Sequence, residues 1–397
     1  MLSWNQSPSL ALMKRERAWV EVDVSAIAHN VKQLRSLLSP QTALMAVVKA
    51  DAYGHGAVTV AQTVLQAGAT WLGVATIPEG IELREAGIAA PVLILGATNT
   101  PEQIREIVRW NLQPTLCTPK QALIFSETVG ERGDRAPLPV HLKLDTGMSR
   151  LGIAWQDAAE FAQLVQRLSN LQIASVYSHL ATAESVDQTV LRQQQQRFDA
   201  AIARIKAAGV ECPALHLANS AAALTDSAVH YDLVRVGLAI YGLYPAPHLR
   251  SVVNLKPALQ VKARVTQVKT IQPGTGVSYG HRFIADRELQ IAVVGIGYAD
   301  GVPRNLSNQM TLLVRGQQVP QIGSVTMDQL MLVSTVPDLQ EGEVVTVLGQ
   351  DGNHAVTADD WASLLNTISW EILCGFKHRL PRIAVECSVP SVERCRW

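Results

Sequence analysis

The chain has 397 residues, 48% of them hydrophobic, with 34 basic against 34 acidic side chains and a formal net charge of zero. That length exceeds what one hydrophobic core ordinarily serves, so two domains are expected; the balanced charge, without a long basic block, argues against a nucleic-acid or anionic-membrane partner. Cys117, Cys212, Cys374, Cys387 and Cys395 form no tight CxxC pair, so neither a disulfide framework nor a metal site is expected and a reduced, cytoplasmic setting fits.

Residues 1–17 place polar groups where a signal peptide needs an unbroken apolar core, and read as a flexible N-terminal arm. Trp19 to Asp23 is a short strand pattern. From Leu44 onward, apolar β-like runs alternate with longer helical patterns: Leu44 to Lys49, Trp71 to Thr76, Val92 to Gly96, Gln113 to Cys117, Val140 to Asp145, Ile173 to His179, Ala214 to Leu217 and Leu233 to Val236. Eight such runs are what a closed parallel barrel requires. Between them, Thr100-Pro101-Glu102-Gln103 carries a helix start, and Thr189 to Gly209 is the clearest helix, stopping at its glycine.

After Pro257 the pattern turns to β alternation without long helices, as in Leu259 to Val265 and Thr311 to Val314. The expected fold class is therefore α/β: a (β/α)8 TIM-type barrel over residues 18–255, followed by a mainly-β domain over 256–397. A doubly wound open sheet accepts the same alternation. The chemistry-bearing residues, however, cluster at the carboxyl ends of the runs, where barrel enzymes build their sites. No stretch offers the ~20 uninterrupted apolar residues of a membrane span.

One run stands out for chemistry. In Ala46-Val47-Val48-Lys49-Ala50-Asp51-Ala52-Tyr53-Gly54-His55-Gly56, a lysine ends an apolar strand and meets a glycine-containing turn. Burial disfavours the ammonium form, and a desolvated amine can attack an aldehyde cofactor. The two glycines predict a turn that allows close backbone approach and opens the helical stretch Ala57 to Ala67. A strand-end lysine reaching for solvent is the plainer reading of the same pattern.

The motif resembles the cofactor lysine of alanine racemases, pyridoxal 5'-phosphate (PLP) enzymes built from a barrel and a β domain. Further segments resemble that family in its order: His141 to Gly152, Ser178-His179-Leu180-Ala181-Thr182-Ala183, His216 to Ala222, Val234 to Leu238, Val277-Ser278-Tyr279-Gly280, Gly297-Tyr298-Ala299-Asp300-Gly301 and Thr326-Met327-Asp328-Gln329. The resemblance implies interconversion of L- and D-alanine by two proton-handling groups, supplying D-alanine for peptidoglycan. It also implies a cytoplasmic homodimer with shared active sites, and a first strand, residues 19–23, that joins the β domain.

Residue by residue, the resemblance makes Lys49 the covalent anchor of the cofactor and the base on one face of the substrate. Tyr279 is then the base on the other face, supplied by the second subunit. Ionising a free phenol at pH 7 requires about 4 kcal/mol unless neighbours tune it, and His179 is the implied neighbour. Arg235 meets the pyridine nitrogen, where its permanent charge opposes protonation and weakens the electron sink that would favour transamination. Tyr53, Ser220 and the backbone of Gly237 and Leu238 hold the phosphate, with Asn219 and His216 in support. Arg150 and the backbone of Met327 orient the substrate carboxylate, and Asp328 structures that loop.

Lys143, carbamylated in many relatives, would otherwise repel Arg150 if buried, so an anion is expected there. Tyr298 lines the substrate entrance. Two departures from the family pattern are Trp370, where many members carry tyrosine, and Ser324, where arginine or lysine is common. Taken singly, Tyr279 is also a turn-flanking aromatic beside Gly280, Arg235 also a paired structural charge and Arg150 also a surface ion pair. Competing readings of the whole are a broader racemase acting on serine as well as alanine, and a barrel-only PLP-binding homeostasis protein.

Overall fold

A computed structural model describes residues 15–131, 133, 136–376 and 379–386. Most of the expected arm, residues 1–14, lies outside the described residues, as do Cys387 and Cys395. The chain divides into two compact units, one of residues 26–52 and 57–256, the other of residues up to Ser25, Tyr53–Gly56 and Pro257 onward.

The first unit is the expected barrel. After β1 (Ala18–Asp23), which belongs to the other unit, come β2 (Ala43–Val47), β3 (Trp71–Val74), β4 (Val92–Ala97), β5 (Gln113–Leu116) and β6 (Leu138–Asp145). A two-residue β7 (Ile153–Ala154) pairs with β6, and β8 (Leu171–Tyr177), β9 (Leu215–His216) and β10 (Leu233–Val236) complete the set. Eight parallel strands run in the order β10-β2-β3-β4-β5-β6-β8-β9. Between β9 and β10 the ring is closed by Asp232 N–H donating to Leu215 O and Arg235 N–H to Ala218 O, both 3.0 Å.

These strands read as apolar runs because both faces are buried. The helices between them behave as their sequences dictate. Thr100 and Gln103 form a reciprocal capping box at the head of Pro101–Arg109, and Thr189–Ala207 stops before Gly209, whose φ of +78° suits glycine. Met45, Leu93 and Leu233 form an apolar cluster in the barrel. Beside it stands a block of buried polar side chains, Thr115, His141, Lys143, Ser175, His216 and Arg235. A barrel interior is ordinarily filled with branched apolar residues, so this block calls for hydrogen-bond partners and marks the site.

The second unit is built on β11 (Leu259–Ile271), β12 (Gly276–Val277), β13 (Phe283–Ile284), β14 (Leu289–Val294), β15 (Thr311–Val314), β16 (Gln317–Ile322), β17 (Leu330–Val333), β18 (Val344–Asp351), β19 (His354–Val356) and β20 (Arg382–Val385). Irregularities at Val261/Lys262 and Val265/Gln267 let β11 pair with β18 along its first half and with β14 along its second. The bulged strand bends, and β11-β18-β15-β16-β17-β14 close into a six-stranded ring. β1 pairs antiparallel with β11 and parallel with β20. At the end of the expected arm, Arg17 forms a bidentate ion pair with buried Asp300 at 2.6 and 2.8 Å, and Arg15 reaches Glu21 at 3.4 Å.

Candidate active site

Lys49 follows the end of β2 and is half-buried, and its Nζ makes no hydrogen bond or ion pair among the described residues. The turn after it is not made by the glycines alone. Left-handed backbone begins at Ala50 and runs through Asp51 and Ala52 to Tyr53, with φ of +53° to +55°, before reaching Gly54. For four L-residues this conformation is unfavourable by about 4–8 kcal/mol in total. Local bonds over-determine it: Ala52 N–H donates to Val48 O at 2.9 Å, Ala50 N–H to Glu79 Oε1 at 2.8 Å and Ala57 N–H to Asp51 Oδ1 at 2.8 Å. Backbone strain of this kind is concentrated at functional sites.

Arg235, 4% exposed, is pinned from several sides. Its Nη2 donates to Ser178 O at 2.7 Å and Leu217 O at 3.0 Å, with His179 Nδ1 at 3.3 Å; its Nη1 donates to His216 Nδ1 at 2.9 Å. Its Nε–H has no acceptor among the described residues. Burial lowers the Arg235 pKa to about 10, which leaves the guanidinium charged at neutral pH. Tyr177 stacks on His216 (centroids 4.5 Å apart, 4° between planes) and presents its ring to Lys143 Nζ at 4.2 Å. Lys143 is 7% exposed; burial first, then Arg235, drives its pKa well below that of an ordinary lysine.

Ser220 opens the helical turn Ser220–Thr225, capped by Asn219, whose side chain accepts from Ala222 N–H at 3.1 Å. Gly237 N–H donates to Ser220 Oγ at 3.0 Å, so this amide is already engaged, while the Ser220 hydroxyl proton and the Leu238 N–H are left as donors. Arg150 is exposed in the loop after β6, where Asp145 Oδ1 accepts from Gly147 N–H and Ser149 N–H at 2.9 and 3.0 Å. Gly152 packs there against β6: an added Cβ would lie 2.7 Å from the Leu144 carbonyl carbon.

In the second unit, Tyr53 is buried, which raises its phenol pKa and keeps the hydroxyl as a donor. Tyr279 is 73% exposed and lines a cavity of about 760 Å³ with Ser278, Thr326 and Met331. Ser324, which the sequence marks only as a missing cation, holds the turn in place through its hydroxyl. Ser324 Oγ donates to Tyr279 O at 2.9 Å, and Ser278 Oγ donates back to Ser324 O at 2.7 Å. Tyr298 and Met327 lie on two loops joined by Tyr298 N–H to Thr326 O and Ala299 N–H to Met327 O, both 3.0 Å. Gly297 permits this approach, since a Cβ would meet Thr326 O at 2.3 Å. Asp300 accepts from Gly297 N–H and Arg17, and Asp328 pairs with Arg379 at 2.6 Å. Trp370 is half-buried in the helix Ser369–Gly375.

Burial lowers His141 to about 3 and His179 to about 2, and holds His216 well below the usual imidazole range, with Arg235 the next cause for His179 and His216. A pKa depressed in the fold means that the unfolded chain binds more protons below pH 6.5, so stability is present above that pH and lost as pH falls from 6.5 toward the folded His141 value of about 3. For buried His141 and His216 together the slope is about 3 kcal/mol per pH unit. The melting temperature is therefore expected to drop steeply below pH 6, and an unchanged value between pH 6.5 and 5 in calorimetry would contradict neutral buried histidines.

The alanine racemase N-terminal domain family matches residues 22–245 and the alanine racemase C-terminal domain family matches residues 258–384. An alanine racemase of Nostoc sp. is 68% identical over 371 residues, 93% of this chain and 96% of the relative. One from Synechocystis sp. is 62% identical over 374 residues, 94% of this chain and all of the relative. Among solved structures, alanine racemase from Bacillus anthracis with bound L-Ala-P gives a TM-score of 0.88 at 34% identity, over 94% of this chain and 96% of that one. That from Streptomyces coelicolor A3(2) gives 0.88 at 34% identity, over 94% and 99%. Matched across both of its units, the chain belongs to the alanine racemase family.

Proposed function

We propose that the chain interconverts L- and D-alanine with pyridoxal 5'-phosphate, Lys49 and Tyr279 handling the proton on opposite faces of the substrate Cα. The donor set fits that cofactor. Ser220 offers a protonated hydroxyl and Leu238 an open N–H, which suit a phosphate dianion, and the family resemblance adds Tyr53. Lys49 offers an amine with no other partner among the described residues. When bound, the cofactor supplies the electron sink that acidifies the Cα–H bond.

The observation that carries the reading is Arg235: a buried cation held by Ser178 O, Leu217 O and His216, with its Nε–H left over. Set against a pyridine nitrogen, this fixed charge would disfavour ring protonation and would favour returning the proton over losing the amino group. Lys49 moves the proton on one face, and Tyr279 on the other. His179, whose Nδ1 is turned to Arg235, stays neutral and supports the site. Arg150 and the backbone at Met327 orient the substrate carboxylate, with Lys143, His216, Asn219 and Asp328 as supports and Tyr298 and Trp370 along the entrance.

Tyr279 stands exposed beside an open cavity, which supports its serving the site of a second copy in a homodimer. No helix among the described residues is long and apolar enough to cross a membrane; we place the protein in the cytoplasm, providing D-alanine for peptidoglycan. The match to the C-terminal domain family over residues 258–384 weighs against a barrel-only cofactor binder. Chiral chromatography of the purified holoenzyme incubated with L-alanine is expected to show equal D- and L-alanine at equilibrium, and slower conversion of L-serine. Failure to form D-alanine while cofactor absorbance persists would overturn the enzymatic reading, and equal serine turnover would replace it with a broader racemase.

A further inference from the structure

Inside the barrel, beyond Arg235, lies a line of polar side chains that no step of the reaction uses. Arg235 Nη1 is 2.9 Å from His216 Nδ1, His216 Nε2 is 2.8 Å from Ser175 Oγ, Ser175 Oγ is 2.6 Å from His141 Nδ1, and His141 Nε2 is 2.7 Å from Gln113 Oε1. His216, Ser175 and His141 are each buried and Gln113 is half-buried. The residues come from β10, β9, β8, β6 and β5, so the line crosses the barrel from strand to strand.

Its direction is set by chemistry. A guanidinium has donors and no acceptor, so Arg235 donates to His216 Nδ1. A neutral imidazole accepting at Nδ1 carries its hydrogen on Nε2, which His216 then gives to Ser175 Oγ. The single Ser175 hydroxyl proton passes to His141 Nδ1, so His141 also carries Nε2–H and gives it to Gln113 Oε1. Reversing the line, by turning the Gln113 amide, would bring a His216 Nδ1–H against an Arg235 N–H at 2.9 Å, donor against donor. Packing holds the same arrangement: Tyr177 lies flat on His216 with its hydroxyl 2.7 Å from Thr115 Oγ1, and Trp71 meets His141 edge-on at 5.6 Å. The charged groups that face the line are Arg235 and Lys143, and burial keeps both imidazoles neutral.

We infer that Ser175, His141 and Gln113 are positioning residues: acting through His216, this one-directional chain locks Arg235 in a single orientation and leaves its Nε–H as the donor for the cofactor ring. The inference rests on the reading of Arg235 given above. Without the chain, Arg235 keeps its carbonyl bonds but loses the contact that fixes its Nη1 arm. Its charge then wanders from the ring nitrogen, and the sink is restrained less.

The test uses 15N-histidine-labelled protein and four forms: wild type, Ser175→Ala, Ser175→Thr and Arg235→Lys. In the wild type both His141 and His216 should give nitrogen shifts of the Nε2–H tautomer. In the holoenzyme, Ser175→Ala should raise the ratio of pyruvate, formed by stoichiometric amino transfer from alanine to the cofactor, to racemised product by about tenfold. KM for alanine should stay within about twofold, and Ser175→Thr, which keeps the hydroxyl, should restore the wild-type ratio. An Nδ1–H tautomer at either histidine in the wild type overturns the chain. So does an unchanged ratio in Ser175→Ala when Arg235→Lys raises it. If Arg235→Lys itself leaves the ratio unchanged, the reading of Arg235 fails instead, and the tautomers still decide the chain's direction.

Discussion

Tyr279→Phe is expected to lower racemisation in both directions by about 10²–10⁴-fold, the range for loss of a positioned proton-transfer group, while cofactor absorbance and fold persist. The loss should be two-way because each direction needs one group per face, whichever group takes the proton first. The substitution removes only an oxygen. The turn that carries the residue is held through backbone groups, by Ser324 Oγ on Tyr279 O and Ser278 Oγ on Ser324 O, and Gly280 supplies the left-handed backbone with φ of +72°. The phenol itself is 73% exposed, so its loss leaves no buried partner unsatisfied. Wild-type turnover in either direction, measured by chiral chromatography under single-turnover and steady-state conditions, would remove Tyr279 from the reaction.

If Tyr279 serves the site of the neighbouring subunit, the same variant has a second use. Mixed with Lys49→Ala protein under conditions of subunit exchange, it forms hybrids in which one site has both native groups and the other has neither. Random pairing in a symmetric dimer then restores about one quarter of wild-type activity. Exchange demonstrated by mass-tagged subunits without any recovery would place both groups on one chain.

The eight barrel strands were legible because parallel strands buried on both faces read as continuous apolar runs, and Trp71, Gln113 and Leu233 begin β3, β5 and β10 where the pattern starts. Lys49 and His179 were read as strand ends but lie two residues beyond β2 and β8, in the loops where a side chain can turn to a ligand. The left-handed turn was not legible. Ala50 and Ala52 carry no signal for positive φ and Asp51 only a weak one, and part of what holds the conformation, Glu79, lies far along the chain. The line from Arg235 to Gln113 was hidden for a similar reason. Its members stand on five strands spread from position 113 to 235, and only the barrel's closure makes them neighbours. Ser324 shows the same limit: an apparent missing cation is a clasp on the backbone of Tyr279.

Lys49→Ala is expected to abolish racemisation to below about one thousandth of wild type, because in the proposed mechanism it removes the covalent amine and one of the two proton-transfer groups together. The fold should be nearly indifferent. Lys49 is half-buried and its Nζ has no partner among the described residues, so its truncation breaks no bond and opens no core cavity; a change in stability within about 0.5 kcal/mol is expected. The left-handed turn that follows depends on backbone N–H groups of Ala50 and Ala52 and on the Asp51 carboxylate, none of which the substitution touches. Borohydride treatment separates the two losses. In the wild type it should fix a phosphopyridoxyl group to the peptide containing Lys49, and in Lys49→Ala no stable label should remain, although non-covalently bound cofactor should still be detected by absorbance before reduction. A wild-type label on Lys143, a barrel lysine whose pKa burial lowers, would move the covalent anchor from the turn after β2 to β6 and with it the assignment of the first proton-transfer group.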